Sequence, residues 1–135
     1  MIKQLKPEII EEFKALDSKV FDFSEKKEIL LHRIKTFPKG CIGYYINNKL
    51  LSYITSELWV KHHIPRINTK GHHDEKGKIL YITSTGVNPK HQNKGIGSKL
   101  LKNMIKRAKR MKLKSIYLRT HKAKKFYEKN GFSFV

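Results

Sequence analysis

Between Ile79 and Leu101 the sequence sets a strand-like run, a glycine-containing turn and an amphipathic helix in direct succession. The turn, Lys94-Gly95-Ile96-Gly97-Ser98, falls at the start of the helix. Backbone N–H groups lack partners there and the helix dipole is positive. Glycine at such a point lets a phosphate oxygen approach the main chain without meeting a Cβ. The chemistry offered is anion capture, although a tight turn that holds no ligand uses the same residues. Two better-known phosphate loops are excluded. No string has Gly, four residues and then Gly-Lys-Ser/Thr, and the place where a dinucleotide fingerprint needs a third Gly or Ala holds Leu100. A second cluster lies upstream, where His62, His63, His72 and His73 accompany Asp74. Metal binding, contact with a substrate and a plain polar loop are its three readings. The spacing fits no zinc pattern and no cysteine assists, so no metal is assigned. Cys41, the only cysteine, sits in an apolar run and reads as a small buried residue rather than a nucleophile.

The surrounding elements must hold these residues. Ile2–Leu5 reads as a short strand, and Pro7 opens a helix carrying Ile9, Ile10, Phe13, Leu16 and Val20 at helical spacing. Ser24 stands as the N-cap of a second helix with Ile29, Leu30 and Ile34, ending near Pro38-Lys39-Gly40. Cys41–Ile46 and Leu50–Trp59 read as a hairpin across Asn47-Asn48, residues that tolerate positive φ. Lys61–Lys78 is polar, holds Pro65, Gly71 and Gly77, and reads as a long loop. Ile79–Val87 is a strand. The helix after the glycine turn buries Ile96, Leu100, Leu101, Met104, Ile105, Ala108 and Met111 in one stripe. Ser115–Arg119 is a short strand, Lys122–Lys129 a short helix, and Phe132–Val135 the start of a last strand. Strands interleaved with helices predict an α/β layer fold, one compact domain over residues 1–135.

Thirty Lys and Arg against eleven Asp and Glu give a formal charge of +19 over 135 residues. No acidic residue occurs between Lys76 and Tyr127. Such a field attracts a phosphorylated cofactor, nucleic acid or an acidic protein surface, or else simply solvates the chain. Apolar residues make up 39%, and no run is long enough to span a bilayer, so no membrane partner is expected. With no secretory pattern at Met1-Ile2-Lys3-Gln4 and a lone cysteine, the expected location is cytoplasmic.

The string Gln92-Asn93-Lys94-Gly95-Ile96-Gly97 resembles the Gln/Arg-x-x-Gly-x-Gly/Ala acetyl-CoA signature of the GNAT superfamily of acyl-CoA N-acyltransferases, and Val87-Asn88-Pro89 matches the strand ending before it. Downstream, Ala123-Lys124-Lys125-Phe126-Tyr127-Glu128-Lys129-Asn130-Gly131-Phe132 resembles the family's second signature, Ala-x-x-Phe-Tyr-x-x-x-Gly-Phe. The resemblance is sharp over residues 79–135 and covers only the order of elements before them. It implies a mixed central sheet flanked by helices, here short at the C-terminus, and acetyl-CoA as co-substrate. It also implies that Thr85 and Val87 offer backbone groups to the pantetheine arm, and that amides from Asn93 through Ser98 hold the pyrophosphate, with Lys94 aiding capture. Gln92 belongs to the same signature. His121 stands where the family usually has an Asn touching CoA. Tyr127 matches the tyrosine near the CoA sulfur, implying a general acid for the leaving thiolate. Packing with Phe126 and Phe132 is its other reading.

The implied reaction is direct attack by an amine on the thioester, with a backbone N–H, that of Val87, for the oxyanion. An acceptor with pKa about 10.4 is neutral in only about one molecule in 2,500 at pH 7, which costs roughly 4.6 kcal/mol. A base is therefore useful. Some family members carry a Glu at the place of Tyr81, but Ile79–Val87 contains no carboxylate. Glu57 is the candidate that remains, unless it faces solvent near its strand end. Thr83 or Ser84 offers a water relay instead. A strongly cationic chain repels polyamines, so an acidic or neutral acceptor fits better. The competing reading is an RNA-directed acetyltransferase, or a nucleic-acid-binding module without catalysis, using Gly95–Lys112. It is less supported, because that face lacks aromatics for base stacking. An open sheet edge allows a homodimer as well as a monomer.

Overall fold

The computed structural model describes residues 1–66, 68–120 and 122–134. Among them five strands form one sheet in chain order: β1 (Ile2–Gln4), β2 (Ile42–Ile46), β3 (Lys49–Trp59), β4 (Ile79–Val87) and β5 (Ser115–Tyr117). The first four pair antiparallel, and β4 pairs β5 in parallel. A parallel neighbour needs a crossover, and α3 (Ile96–Arg110) supplies it. Helices α1 (Ile10–Val20) and α2 (Lys27–Thr36) precede β2, and α4 (Lys124–Lys129) follows β5.

The apolar stripe of α3 meets Ile42, Ile54, Leu58, Leu80 and Ile82 on one face of the sheet. On the other face Phe13, Leu16, Leu30 and Ile34 of α1 and α2 meet Cys41, Tyr45, Leu50 and Tyr53. Covered on both sides, β3 is buried at every position from Leu50 to Trp59, which explains its near-continuous apolar character. Asn47 and Asn48 take φ of 50° and 65°, the two positive values a tight hairpin turn requires. Cys41 is fully buried, and burial pushes its thiol up to about 12, so it stays a protonated packing residue.

Three local expectations change. Ser24 does not cap α2, whose N-cap is Lys26 without a side-chain bond. Its Oγ instead donates to Asp17 Oδ2 at 2.5 Å, while Tyr53 Oη donates to Asp17 Oδ1 at 2.5 Å. A carboxylate only 1% exposed needs such partners, and that demand outweighs a cap. Pro7 opens a single 3₁₀ turn, with α1 proper starting at Ile10. Residues 132–134 form no strand, because Phe132 N–H donates to Tyr127 O at 3.0 Å and turns the chain back onto α4. Val135 lies outside the described residues.

Two features of β4 shape the site. The β3–β4 register shifts between Thr55 and Ser56, which leaves Thr83 as an extra residue on β4. In addition, β5 pairs only with Ile79, Leu80 and Tyr81, so β4 from Ile82 onward has an open edge.

Candidate active site

The open edge exposes particular backbone groups. Asn88 N–H donates to Leu51 O at 2.8 Å, which fixes the alternation of the β3–β4 ladder. Residues opposite each other alternate between bonded and non-bonded pairs, so Thr85 and Val87 direct their N–H and C=O away from β3 into the opening. The carbonyl of Val87 is met there by Gln92 Nε2 at 3.4 Å.

Directly beyond lies the start of α3. Asn93 and Gly95 take φ of 62° and 80°, so the chain makes left-handed turns on its way into the helix. At Gly95 that angle favours glycine, and an added Cβ would meet nothing within 4 Å. At Gly97 the reason is proximity, since a Cβ would lie 3.3 Å from Val87 Cγ2 and 3.5 Å from Phe126 Cζ. Among the described residues no protein acceptor is bonded to the amides of Asn93 through Ser98, and the first bond of the helix is Lys99 N–H to Gly95 O. No acidic side chain sits in the first turn. Free amides at a helix start are the arrangement that anions favour.

A cleft of about 1500 Å³ joins this helix start to the opposite face of the sheet. Glu57, Thr85, Val87, Gln92, Asn93, Gly95, Ile96, Gly97, Ser98 and Tyr127 all line it. Lys94 is exposed and does not line it, and His121 lies outside the described residues. Tyr127 is 5% exposed, packed edge-on against Phe126 and Phe132 at ring distances of 5.1 and 5.6 Å. It therefore both packs and faces the cleft. Burial pushes its hydroxyl up to about 12, partly opposed by the neighbouring Thr85 side chain. The phenol stays protonated at neutral pH, the state a proton donor requires.

Glu57 does not face solvent. It is 5% exposed, and its Oε2 accepts from Trp59 Nε1 at 2.5 Å and from the His72 amide at 2.7 Å. Opposite it in the ladder stands Tyr81, stacked on Trp59 at 4.1 Å. Near them Thr55 Oγ1 lies 2.6 Å from both Thr83 Oγ1 and Ser84 Oγ, a short chain of hydroxyls created by the bulge.

The charge of the cleft changes along its length. The end beside the start of α3 is lined by His91, Lys122, Lys124, Lys125 and Lys129, the far end by Asp17, Asp22, Glu25 and Glu57 together with Arg33, Arg66 and Arg119. Only Glu57 of the far-end set was named from sequence. Asp17 had a readable signal, because it falls four residues after Phe13 on the buried stripe of α1. Arg33 had none, since its partner Glu25 and the Asn68 amide on the same carboxylate are joined to it only by the fold.

The histidine loop docks on this far end. His63 and His72 stack at 3.9 Å, both against Trp59, while His73 Nδ1 accepts from the Leu58 amide at 3.0 Å. Among the described residues no group of three or more side chains is arranged to hold a metal ion. Burial against Trp59, then His72 and Lys61, lower the pKa of His63. The docked loop thus binds fewer protons than the undocked one, and docking weakens as pH falls below about 6.5. Trp59 is the only tryptophan. Its fluorescence should change as pH falls from about 6.5 to about 5, and His63→Ala should flatten that titration. An unchanged emission across the range would show that the loop does not respond to protonation.

The sequence model of the Acetyltransferase (GNAT) family matches residues 6–132. No curated protein matches the chain significantly in sequence. Among solved structures the chain is similar to Ard1 from Thermoplasma volcanium, with 17% identity over 100% of this chain and 83% of that one, at a TM-score of 0.80. It is similar to the PaiA N-acetyltransferase from Thermoplasma acidophilum in complex with coenzyme A, with 19% identity over 98% and 89% and a TM-score of 0.78. It is also similar to the GphF GNAT-like decarboxylase in complex with isobutyryl-CoA, with 20% identity and a TM-score of 0.74. That match covers 79% of this chain but 58% of the decarboxylase, less than two thirds of its length. At these identities the likeness is one of fold. No described helix is long and apolar enough to cross a membrane.

Proposed function

The chain belongs to the GNAT acetyltransferase family, and from that premise we propose that it transfers an acetyl group from acetyl-CoA to a primary amine on a small molecule or a protein. One observation carries this reading: the unpartnered amides of Asn93 to Ser98 open into the same cleft as the free edge of β4 and the buried Tyr127. The residues fit a diphosphate, because Gly95 leaves its side of the turn empty and no carboxylate competes for the helix start. Acetyl-CoA supplies the activated thioester, and the protein supplies position and proton transfer. The amides of Asn93 to Ser98 hold the diphosphate, and Thr85 and Val87 pair with the arm along the open edge. The Val87 N–H donates to the oxygen that gains charge when the amine attacks. Glu57 accepts the proton of the amine, directly or through Thr83 and Ser84, and Tyr127 donates its proton to the departing sulfur. The C–N bond forms, the C–S bond breaks, Tyr127 regains a proton from solvent, and Glu57 releases to solvent the proton it took.

The carboxylates at the far end reverse the local sign of a cationic chain, so a positively charged amine is admissible there despite the overall field. The test is a panel of amine acceptors with acetyl-CoA, followed by free-thiol release. Glu57→Gln isolates the base. Its amide oxygen still accepts from Trp59 and His72, so the loop stays docked while proton acceptance is lost. We expect kcat/KM to fall about 100-fold with CoA affinity unchanged. Full turnover in this variant would assign the proton to the hydroxyl chain instead.

A further inference from the structure

The exposed face of α3 carries a charge pattern that the cleft does not use. Lys99, Lys102, Lys106 and Lys109 follow at spacings of three, four and three residues, with Arg110 beside the last. All are exposed. That spacing makes one stripe along a single side of the helix, with a positive charge every 5 Å or so along its axis. None of the five lines the cleft. Among the described residues none takes part in an ion pair, which occur only at Lys27, Arg33 and His73.

Composition alone does not produce this row. The outer face of α1 mixes Glu11 and Glu12 with Lys14 and Lys19, so the chain places both signs on a surface helix where it can. The row also works against its own helix. Like charges three and four residues apart repel, and Lys99 and Lys102 stand toward the positive end of the dipole. Only Lys109 and Arg110, in the last turn, are favoured by it. A partner that supplies negative charge removes these penalties.

We propose that this row is a docking surface for the phosphate backbone of a nucleic-acid duplex, separate from the cofactor cleft. Regularly spaced cations with no apolar group among them suit a regular polyanion. A protein interface needs an apolar or aromatic centre, and a helix lying on a bilayer needs apolar residues to insert. Here Leu100, Leu101, Met104 and Ala108 are buried in the core, and Ile105 and Met111 are partly buried against it, which leaves no fully exposed apolar side chain on the helix. No aromatic side chain interrupts the row, which favours a duplex over a stacked single strand. The surface reads phosphate and not sequence. It does not rest on the acetyltransferase reading.

The test compares two variants that remove equal charge. One changes Lys99, Lys102, Lys106, Lys109 and Arg110 to Gln. The other changes Lys6, Lys19, Lys35, Lys49 and Lys70, exposed lysines elsewhere, to Gln. Binding of short mixed-sequence RNA and DNA duplexes is followed between about 50 and 200 mM salt. Wild type and the second variant should bind with the same steep salt dependence. For the first variant the slope of log affinity against log salt should become shallower by about 0.9 for each phosphate no longer neutralised. Thermal melting checks the fold, and the first variant should melt no lower than wild type because repulsion is relieved. Should it melt lower, the pair Lys102→Gln and Lys106→Gln carries the comparison. Equal weakening in both variants, no duplex binding by wild type, or equal competition by phosphatidylserine-containing vesicles would overturn the proposal.

Discussion

Replacing Gly97 by valine should weaken CoA binding about 100-fold while the protein remains folded. An added Cβ already lies 3.3 Å from Val87 Cγ2, and the branch of valine must enter the space between β4 and Phe126. That space adjoins the amides assigned to the diphosphate. A charge-assisted hydrogen bond contributes about 1.5–3 kcal/mol, so the loss of one accounts for the expected factor. Overpacking should cost about 1–3 kcal/mol of stability. Titration calorimetry with CoA, together with thermal melting, separates the two effects. Unchanged affinity in a folded Gly97→Val protein would move the diphosphate elsewhere.

Tyr127→Phe should lower kcat about 100-fold and leave CoA affinity within about twofold. Phenylalanine keeps the packing against Phe126 and Phe132 and loses only the hydroxyl. Slowed acetyl transfer with retained CoA binding, read by thiol release and calorimetry, is the expected pair of results. The pH profile gives a second readout. Burial holds the Tyr127 hydroxyl at about 12, so wild-type activity should show no alkaline loss assignable to this group below about pH 11. If Tyr127→Phe turns over as fast as wild type, the tyrosine only packs.

The α3 stripe and the glycine turn were legible in the sequence because both are local. Spacing alone places Leu100, Leu101, Met104 and Ala108 on one face, and a turn followed by a helix fixes where the free amides lie. The Asn47-Asn48 hairpin was legible for the same reason. What escaped depended on residues far apart in the chain. Ser24 looked like a helix cap, but it donates to the buried Asp17, which Tyr53 also bonds, a choice decided by burial and not by neighbours. Glu57 looked equally able to face water. Its burial follows from Trp59, His72 and Gly71 closing over it, which requires the histidine loop to fold back on β3. The expected last strand failed because a backbone bond within the α4 turn took the Phe132 amide.

In the proposed reaction the free amides at the start of α3 bind a diphosphate. Proton–nitrogen correlation spectra of labelled protein, recorded as CoA is added, report on those amides one by one. The signals of Asn93 through Ser98 should shift downfield and saturate together with the binding isotherm. CoA binding that leaves these signals in place, or no binding by well-folded protein, would contradict that assignment.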